Sequence, residues 1–276
     1  VKTLTAIPAL REWRGQSGAP LGLVPTMGYL HAGHRSLLDR ARRENDRVAA
    51  SLFVNPAQFG PQEDLGRYPR DLPRDQRLLE EAGCDVLFAP SVQEMYPPGF
   101  ETTVDVGRIA APLEGARRPG HFRAVATVVL KLFHLFRPDR AYFGEKDAQQ
   151  LAVIRHMVRD LDLPVEVCGC PIVREPDGVA LSSRNSYLSA EERRAAPVLF
   201  RALCAARDRW AAGERDAEGL RRAMTDMLAR EPLARVDYVS VADPDTLQER
   251  DHAHPPLLIS MAVFFGPTRL IDNLRL

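Results

Sequence analysis

At 276 residues with 45% hydrophobic content, the chain is long enough to bury a sizeable core in one large domain or two modest ones. Its 37 lysines and arginines are matched by 37 aspartates and glutamates, a formal charge of +0. No overall field draws such a chain to nucleic acid or to an anionic membrane, so small-molecule chemistry is the class the composition favours.

From the N-terminus, Val1 to Trp13 mixes apolar residues with Lys2 and Arg11 and lacks the unbroken apolar core of an export signal, which predicts a cytoplasmic protein. A short apolar run then goes from Leu21 to Pro25, a glycine-punctuated turn follows, Leu37, Leu38 and Ala41 recur at helical spacing, and Val48 to Val54 is a second apolar run. Leu72 to Ala82 reads as a helix and Asp85 to Ala89 as a strand. The spacing predicts a helix over Phe122 to Phe136, halted before Pro138, a strand over Arg140 to Phe143, a helix from about Glu145 to Asp160, and a strand from Val165 to Val173. Repeated strand-helix-strand units predict an α/β class fold with a doubly wound, Rossmann-like parallel sheet. The most apolar helical stretch, Val125 to Phe136, contains Lys131 and His134 and is too short to cross a bilayer, so no membrane association is expected.

The four cysteines, Cys84, Cys168, Cys170 and Cys204, form neither a C-x-x-C pair nor a repeated zinc-ligand pattern. Free thiols are predicted, with Cys168 and Cys170 on one face of a strand. Past Val173 the segment Arg174 to Gly178 reads as a turn, and Ser182 to Ser186 is polar. We therefore divide the chain into residues 1–175, the Rossmann-like nucleotide- and substrate-binding domain, and residues 176–276, a smaller α+β domain expected to act as a lid. Ser189 with Glu192 resembles a capping box opening one long helix to about Ala212, and a further helix follows Gly219. Val236 to Val241, Leu257 to Phe265 and Arg269 to Leu274 are candidate strands of an antiparallel sheet.

The chemistry concentrates at strand-to-helix junctions, where open α/β sheets bind ligands and a helix N-terminus offers N–H groups to phosphate. The first junction reads Pro25-Thr26-Met27-Gly28-Tyr29-Leu30-His31-Ala32-Gly33-His34. Its glycines permit close backbone approach, and if the helix has begun by His31 the two imidazoles share a face and can donate to phosphate oxygens. In isolation H-x-G-H is equally a glycine-rich turn with a capping histidine, and it is not the H-E-x-x-H of a zinc site. At the second junction, Phe53 to Gly60, the amides of Asn55 and Gln58 suit a small hydroxy acid; turn formation before Pro56 is the alternative for Asn55 but not for Gln58.

The third junction runs Tyr142-Phe143-Gly144-Glu145-Lys146-Asp147-Ala148-Gln149-Gln150. A cation in the first helical turn opposes the helix dipole unless an anion is bound, so Lys146 marks a phosphate site, with Gln150 on the same helical face for substrate. A solvated lysine offset by Glu145 and Asp147 is the plainer alternative. The fourth segment, Leu181-Ser182-Ser183-Arg184-Asn185, can close hydroxyls and a guanidinium over a triphosphate, or serve only as a serine-rich linker.

Together these segments resemble pantothenate synthetases over nearly the whole chain, along with Arg118-Pro119-Gly120-His121-Phe122-Arg123 and Leu270-Ile271-Asp272-Asn273. That family belongs to the nucleotidylyltransferase superfamily with a HIGH-type motif, here His31-Ala32-Gly33-His34. The resemblance implies that Met27 to His34, Gly144 to Asp147, Val173 and Leu181 to Arg184 line ATP, that Gln58 and Gln150 hold pantoate, that Gln58 also meets β-alanine, and that His34 is the proton donor. It implies catalysis by His31, His34 and Lys146 with Mg²⁺, no assigned metal ligand, and a homodimer. The implied reaction joins pantoate to β-alanine through a pantoyl-adenylate, releasing pyrophosphate and then AMP. Another small-molecule nucleotidylyltransferase and a non-catalytic adenine-nucleotide sensor remain the rival readings. A class I aminoacyl-tRNA synthetase is opposed by the absence of a K-M-S-K-S segment and of any basic surplus.

Overall fold

The computed structural model describes residues 1–16, 18–61 and 63–276. They fall into two compact units, Val1–Glu145 with Val153–Pro171, and Lys146–Ala152 with Ile172–Leu276.

The first unit is built on six strands: β1 (Lys2–Leu4), β2 (Leu21–Thr26), β3 (Arg47–Leu52), β4 (Val86–Phe88), β5 (Arg140–Gly144) and β6 (Glu166–Cys170). They form one parallel sheet in the order β1-β4-β3-β2-β5-β6. From β2 the chain winds outward through β3 and β4, then returns to the other side of β2 with β5 and β6. The order reverses between β2 and β5, and a crevice beyond the carboxyl ends of those two strands is where such sheets bind ligands. Near-continuous apolar runs such as Leu21 to Val24 are what a sheet covered on both faces requires, and these four residues are buried.

The helices are α1 (Ile7–Gly15), α2 (Ala32–Glu44), α3 (Leu72–Glu81), the single turns α4 (Val92–Met95) and α5 (Glu114–Arg117), α6 (His121–Phe136) and α7 (Ala148–Asp160). One core cluster joins Val24, Leu38 and Ala41 to Leu79, Leu87, Tyr142, Cys84, Cys168 and Cys170, so three of the four free thiols are packing residues. α6 is buried almost all round and stops at Arg137, in a left-handed conformation, before Pro138.

Sequence spacing missed β1 and α1, and it overextended β6, which ends at Cys170 before Pro171. The helix expected from Glu145 starts as a 3₁₀ turn, Glu145–Asp147, with α7 beginning only at Ala148. Lys146 therefore sits in this 3₁₀ turn, immediately before the first turn of α7. No helix among the described residues is long and apolar enough to cross a membrane.

The second unit carries the antiparallel sheet β7 (Ala234–Ala242), β8 (Leu258–Phe265) and β9 (Thr268–Arg275), in that order. Its helices are α8 (Ala190–Ala195), α9 (Val198–Ala211) and α10 (Ala217–Leu228). The one long helix expected after Ser189 is two, because Pro197 cannot donate within a continuous helix; the capping box of Ser189 and Glu192 is present. The helix expected after Gly219 begins earlier, capped by Asp216. Leu199, Leu203, Leu220 and Met224 pack on Ile259, Met261 and Val263 in the unit's core.

Candidate active site

In the first unit, the turn from β2 into α2 is shaped by consecutive left-handed residues, Gly28 at φ 88° and Tyr29 at φ 52°. Such a conformation is costly for tyrosine and needs support. Asp75, at 1% exposure on the first turn of α3, supplies it. Its carboxylate accepts from the backbone N–H of Tyr29 at 2.8 Å and of Leu30 at 2.7 Å, while Arg74 lies over the Tyr29 ring. Burial raises the Asp75 pKa, opposed by the two N–H donors and by Arg74. A Cβ on Gly28 would come within 3.0 Å of Leu52 and 3.1 Å of Asp75, so any other residue there is strained in torsion and tightly packed.

His31 is not inside the helix, as the spacing suggests, but is its N-cap residue with extended backbone; α2 starts at Ala32. A reciprocal capping box brings the imidazoles together instead. The Gly33 N–H donates to His31 Nδ1 at 3.1 Å and the His31 N–H donates to His34 Nδ1 at 3.3 Å, leaving the ring centroids 4.1 Å apart. A nitrogen that accepts an N–H carries no proton, so each neutral ring is the Nε2–H tautomer. Both the capping reading and the anion-donor reading of this motif are thus compatible with one geometry: Nδ1 builds the helix start and Nε2–H is the donor.

At the end of β3, residues Pro56–Gln58 form a 3₁₀ turn capped by Asn55. Asn55 is 1% exposed, and its amide is fully used. Its Oδ1 accepts from the Ala57 N–H at 3.3 Å and from the Tyr96 hydroxyl at 3.0 Å, while its Nδ2 donates to Gln58 Oε1 at 3.2 Å and to the Ala124 carbonyl at 3.3 Å. It has two donors and two acceptor positions and no more, so direct substrate binding by Asn55 would require giving up one of these bonds. Gln58 Nε2 lies 3.0 Å from Met27 Sδ, which places the first and second junctions together.

The backbone of Gln58 is held from α6. His121 Nδ1 is 2.8 Å from the Gln58 carbonyl, His121 Nε2 is 3.0 Å from Arg118 Nη1, and Arg118 makes a two-point pair with Glu63 at 2.7 Å for each bond. Gly144 ends β5, whose Ala141 is paired with Leu23 of β2, and Glu145 follows it.

In the second unit, Lys146 is largely covered, with its side chain 18% exposed and Asp147 at 4.0 Å. The Asn273 amide donates to the Lys146 carbonyl at 2.9 Å. Next to it, buried Asp272 pairs with both terminal nitrogens of Arg174, at 2.6 and 2.8 Å. Lys146, Ser182 and Asp272 line one small cavity. The Leu181 N–H donates to the Val173 carbonyl at 3.0 Å, so two of the expected nucleotide-lining residues are neighbours. Ser182 caps the 3₁₀ turn Ser183–Tyr187 by accepting from the Arg184 N–H, an alternative to an unstructured linker. Gln150 lies in the first turn of α7, half-buried, beside a buried Gln149.

The supporting residues Asp75, Arg118, His121, Glu63, Asp272 and Arg174 were not singled out as site residues from sequence. Only the motif stretches around Arg118 and Asp272 signalled them.

A family model described as pantoate-beta-alanine ligase matches residues 1–275. A pantothenate synthetase of Roseiflexus sp. strain RS-1 is 63% identical over 273 residues, spanning 99% of this chain and 98% of that protein. The pantothenate synthetase of Herpetosiphon aurantiacus is 59% identical over 275 residues, spanning 99% of each. A solved pantothenate synthetase of Thermus thermophilus superposes with a TM-score of 0.96 at 54% identity, covering 99% of both chains. A Francisella tularensis pantoate-beta-alanine ligase, solved in complex with beta-gamma ATP and beta-alanine, gives 0.83 at 33% identity, covering 100% of this chain and 97% of that one. Matched from end to end by sequence and by backbone, the chain belongs to the pantoate-β-alanine ligase family.

Proposed function

We propose that this ligase, which condenses pantoate with β-alanine using ATP, does so through a pantoyl-adenylate. The family match supports the overall reaction. The observation that carries the intermediate is the β2–α2 turn, where two imidazoles with committed Nδ1 atoms present the Nε2–H tautomer at a helix N-terminus. Such a cluster binds and stabilises a phosphate whose charge grows as a carboxylate oxygen adds to the α-phosphorus. The pantoate carboxylate is the nucleophile in the first step, pyrophosphate leaves, and the amine of β-alanine then displaces AMP. Both nucleophiles come from substrates, so the protein's part is placement and charge stabilisation rather than covalent catalysis.

In this proposal Met27 to His34, Gly144, Glu145, Asp147, Val173 and Leu181 contact ATP, and Lys146, Ser182, Ser183 and Arg184 meet its charge. Gln58 and Gln150 bind pantoate, with Gln58 also near β-alanine, and Asn55 serves by ordering Gln58. Mg²⁺ would enter with ATP and neutralise phosphate charge. Among the described residues no three His, Cys, Asp or Glu side chains gather as a metal site, so no protein ligand is assigned to the ion. A homodimer and a cytoplasmic location are part of the same proposal and rest on family likeness.

The test is isotope exchange between pyrophosphate and ATP with pantoate present and β-alanine withheld, followed by AMP release on adding β-alanine. No exchange, with AMP formed only when all three substrates are present, would refute the adenylate. His34→Ala and Lys146→Ala should each lower exchange by ~10²-fold without changing the unfolding transition. Wild-type exchange in either variant removes that residue from the proposed chemistry.

A further inference from the structure

We propose that His121 and Arg118 are positioning residues that set the conformation of Gln58, and through it the affinity for the hydroxy acid. The proposal rests on the reading of Gln58 as a pantoate-binding residue.

The pattern of donors and acceptors decides what His121 does. A guanidinium has donors and no acceptor, so the 3.0 Å contact between Arg118 Nη1 and His121 Nε2 is made by the ring's lone pair. The ring proton must then sit on Nδ1, where it donates to the Gln58 carbonyl at 2.8 Å. Both ring nitrogens are occupied, the ring is 8% exposed, and burial with Arg118 beside it pushes the pKa down to about 4. A neutral ring with its proton committed to a backbone carbonyl is not a proton shuttle for the reaction; it is a strut.

The strut is anchored at its far end. Arg118 is held in a fixed plane by two 2.7 Å bonds to Glu63, and its Nη2 also reaches the Gln58 carbonyl at 3.5 Å. Gly120, at φ 82°, lets the chain turn sharply so that α6 opens with His121 as its first residue. A second bolt joins the same two elements: Asn55, which holds Gln58 Oε1, also donates to the Ala124 carbonyl one turn along α6. Backbone and side chain of Gln58 are thus both referenced to the first turn of α6. A glutamine free to rotate about its side-chain torsions would bind a small hydroxy acid only after being ordered, and this framework orders it in advance.

The experiment compares His121→Leu, His121→Asn and Gln58→Ala, each first checked for a cooperative unfolding transition. The asparagine amide retains a donor near the Nδ1 position, whereas leucine has none. His121→Leu should raise the KM for pantoate about tenfold while the KM for ATP stays within about twofold, and His121→Asn should restore most of the loss. The double variant Gln58→Ala with His121→Leu should be no worse than Gln58→Ala alone. Equal changes in both KM values, or an asparagine variant as impaired as leucine, overturn the positioning role. If Gln58→Ala leaves the pantoate KM unchanged, the reading of Gln58 falls and the proposal with it. If Gln58→Ala is impaired and folded His121→Leu is not, the proposal alone falls. Should His121→Leu not fold, His121→Asn beside Arg118→Gln decides: an unchanged pantoate KM in Arg118→Gln overturns the strut.

Discussion

Acidification should cost this protein stability through one histidine. His121 has its pKa lowered from the ordinary 6.5 to about 4, chiefly by burial and then by the charge of Arg118, with the bond to Gln58 and the carboxylates of Glu63 and Glu114 opposing. The folded chain therefore leaves His121 neutral where the unfolded chain protonates it. The resulting stabilisation is present in full above pH 6.5 and is lost as the pH falls toward about 4. Its full size is about 3 kcal/mol, of which about 2 kcal/mol is lost between about pH 7.5 and about pH 5. Many carboxylates titrate over the same range, so the measurement is a difference of differences: urea unfolding of the wild type and of His121→Asn at both pH values. The wild type should lose about 2 kcal/mol more than the variant, because asparagine does not titrate. Equal losses would refute the reasoning, since they would mean that His121 is solvated or already charged in the folded state.

Two further substitutions test the supports. Gly28→Ala places a Cβ 3.0 Å from Leu52 in a left-handed conformation, and should lower stability by about 1–3 kcal/mol in urea melts and depress pyrophosphate exchange; an unaffected variant would show that the turn relaxes freely. Asp272→Ala leaves the guanidinium of Arg174 largely buried without its two-point partner, which should destabilise by about 3–5 kcal/mol, with substantial recovery in Asp272→Ala combined with Arg174→Met. A melting midpoint unchanged in the single variant would show that Arg174 finds another partner.

The central architecture is legible because its signals are local. Apolar runs such as Leu21 to Val24 and helical periodicity around Leu37, Leu38 and Ala41 report β2, α2 and their order directly. β1 is not legible: three residues, Lys2 to Leu4, show no period, and they become a strand only through pairing with Val86 to Phe88 far along the chain. The break at Pro197 was hidden by good helix formers on either side, although proline itself was the available signal. Lys146 was misplaced for a different reason: the step from β5 to α7 passes through a 3₁₀ turn, and helix periodicity does not locate such a start. Of the candidate site, Met27 to His34 and Gln58 are visible as motif, while the contacts that hold them are not. Asp75 reads as an ordinary acidic residue in a helix's first turn, and only the folded chain shows it bonded to Tyr29 and Leu30.

The histidines show why residue type alone could not assign these roles. His31 and His34 each accept a backbone N–H at Nδ1, which forces the proton to Nε2 and makes that nitrogen a donor suited to an anion. His121 is wired in the reverse sense, accepting at Nε2 from Arg118 and donating from Nδ1 to Gln58, so it has nothing to offer a substrate. The same side chain keeps its proton on Nε2 in one place and on Nδ1 in the other, and the difference lies in which ring nitrogen its neighbours engage. A capping box demands an acceptor at a helix start, and the Gln58 carbonyl beside α6 demands a donor. Tautomer, and with it function, follows from what the local backbone needs in hydrogen bonds, which spacing in the sequence sets for His31 and His34 but only tertiary contact sets for His121.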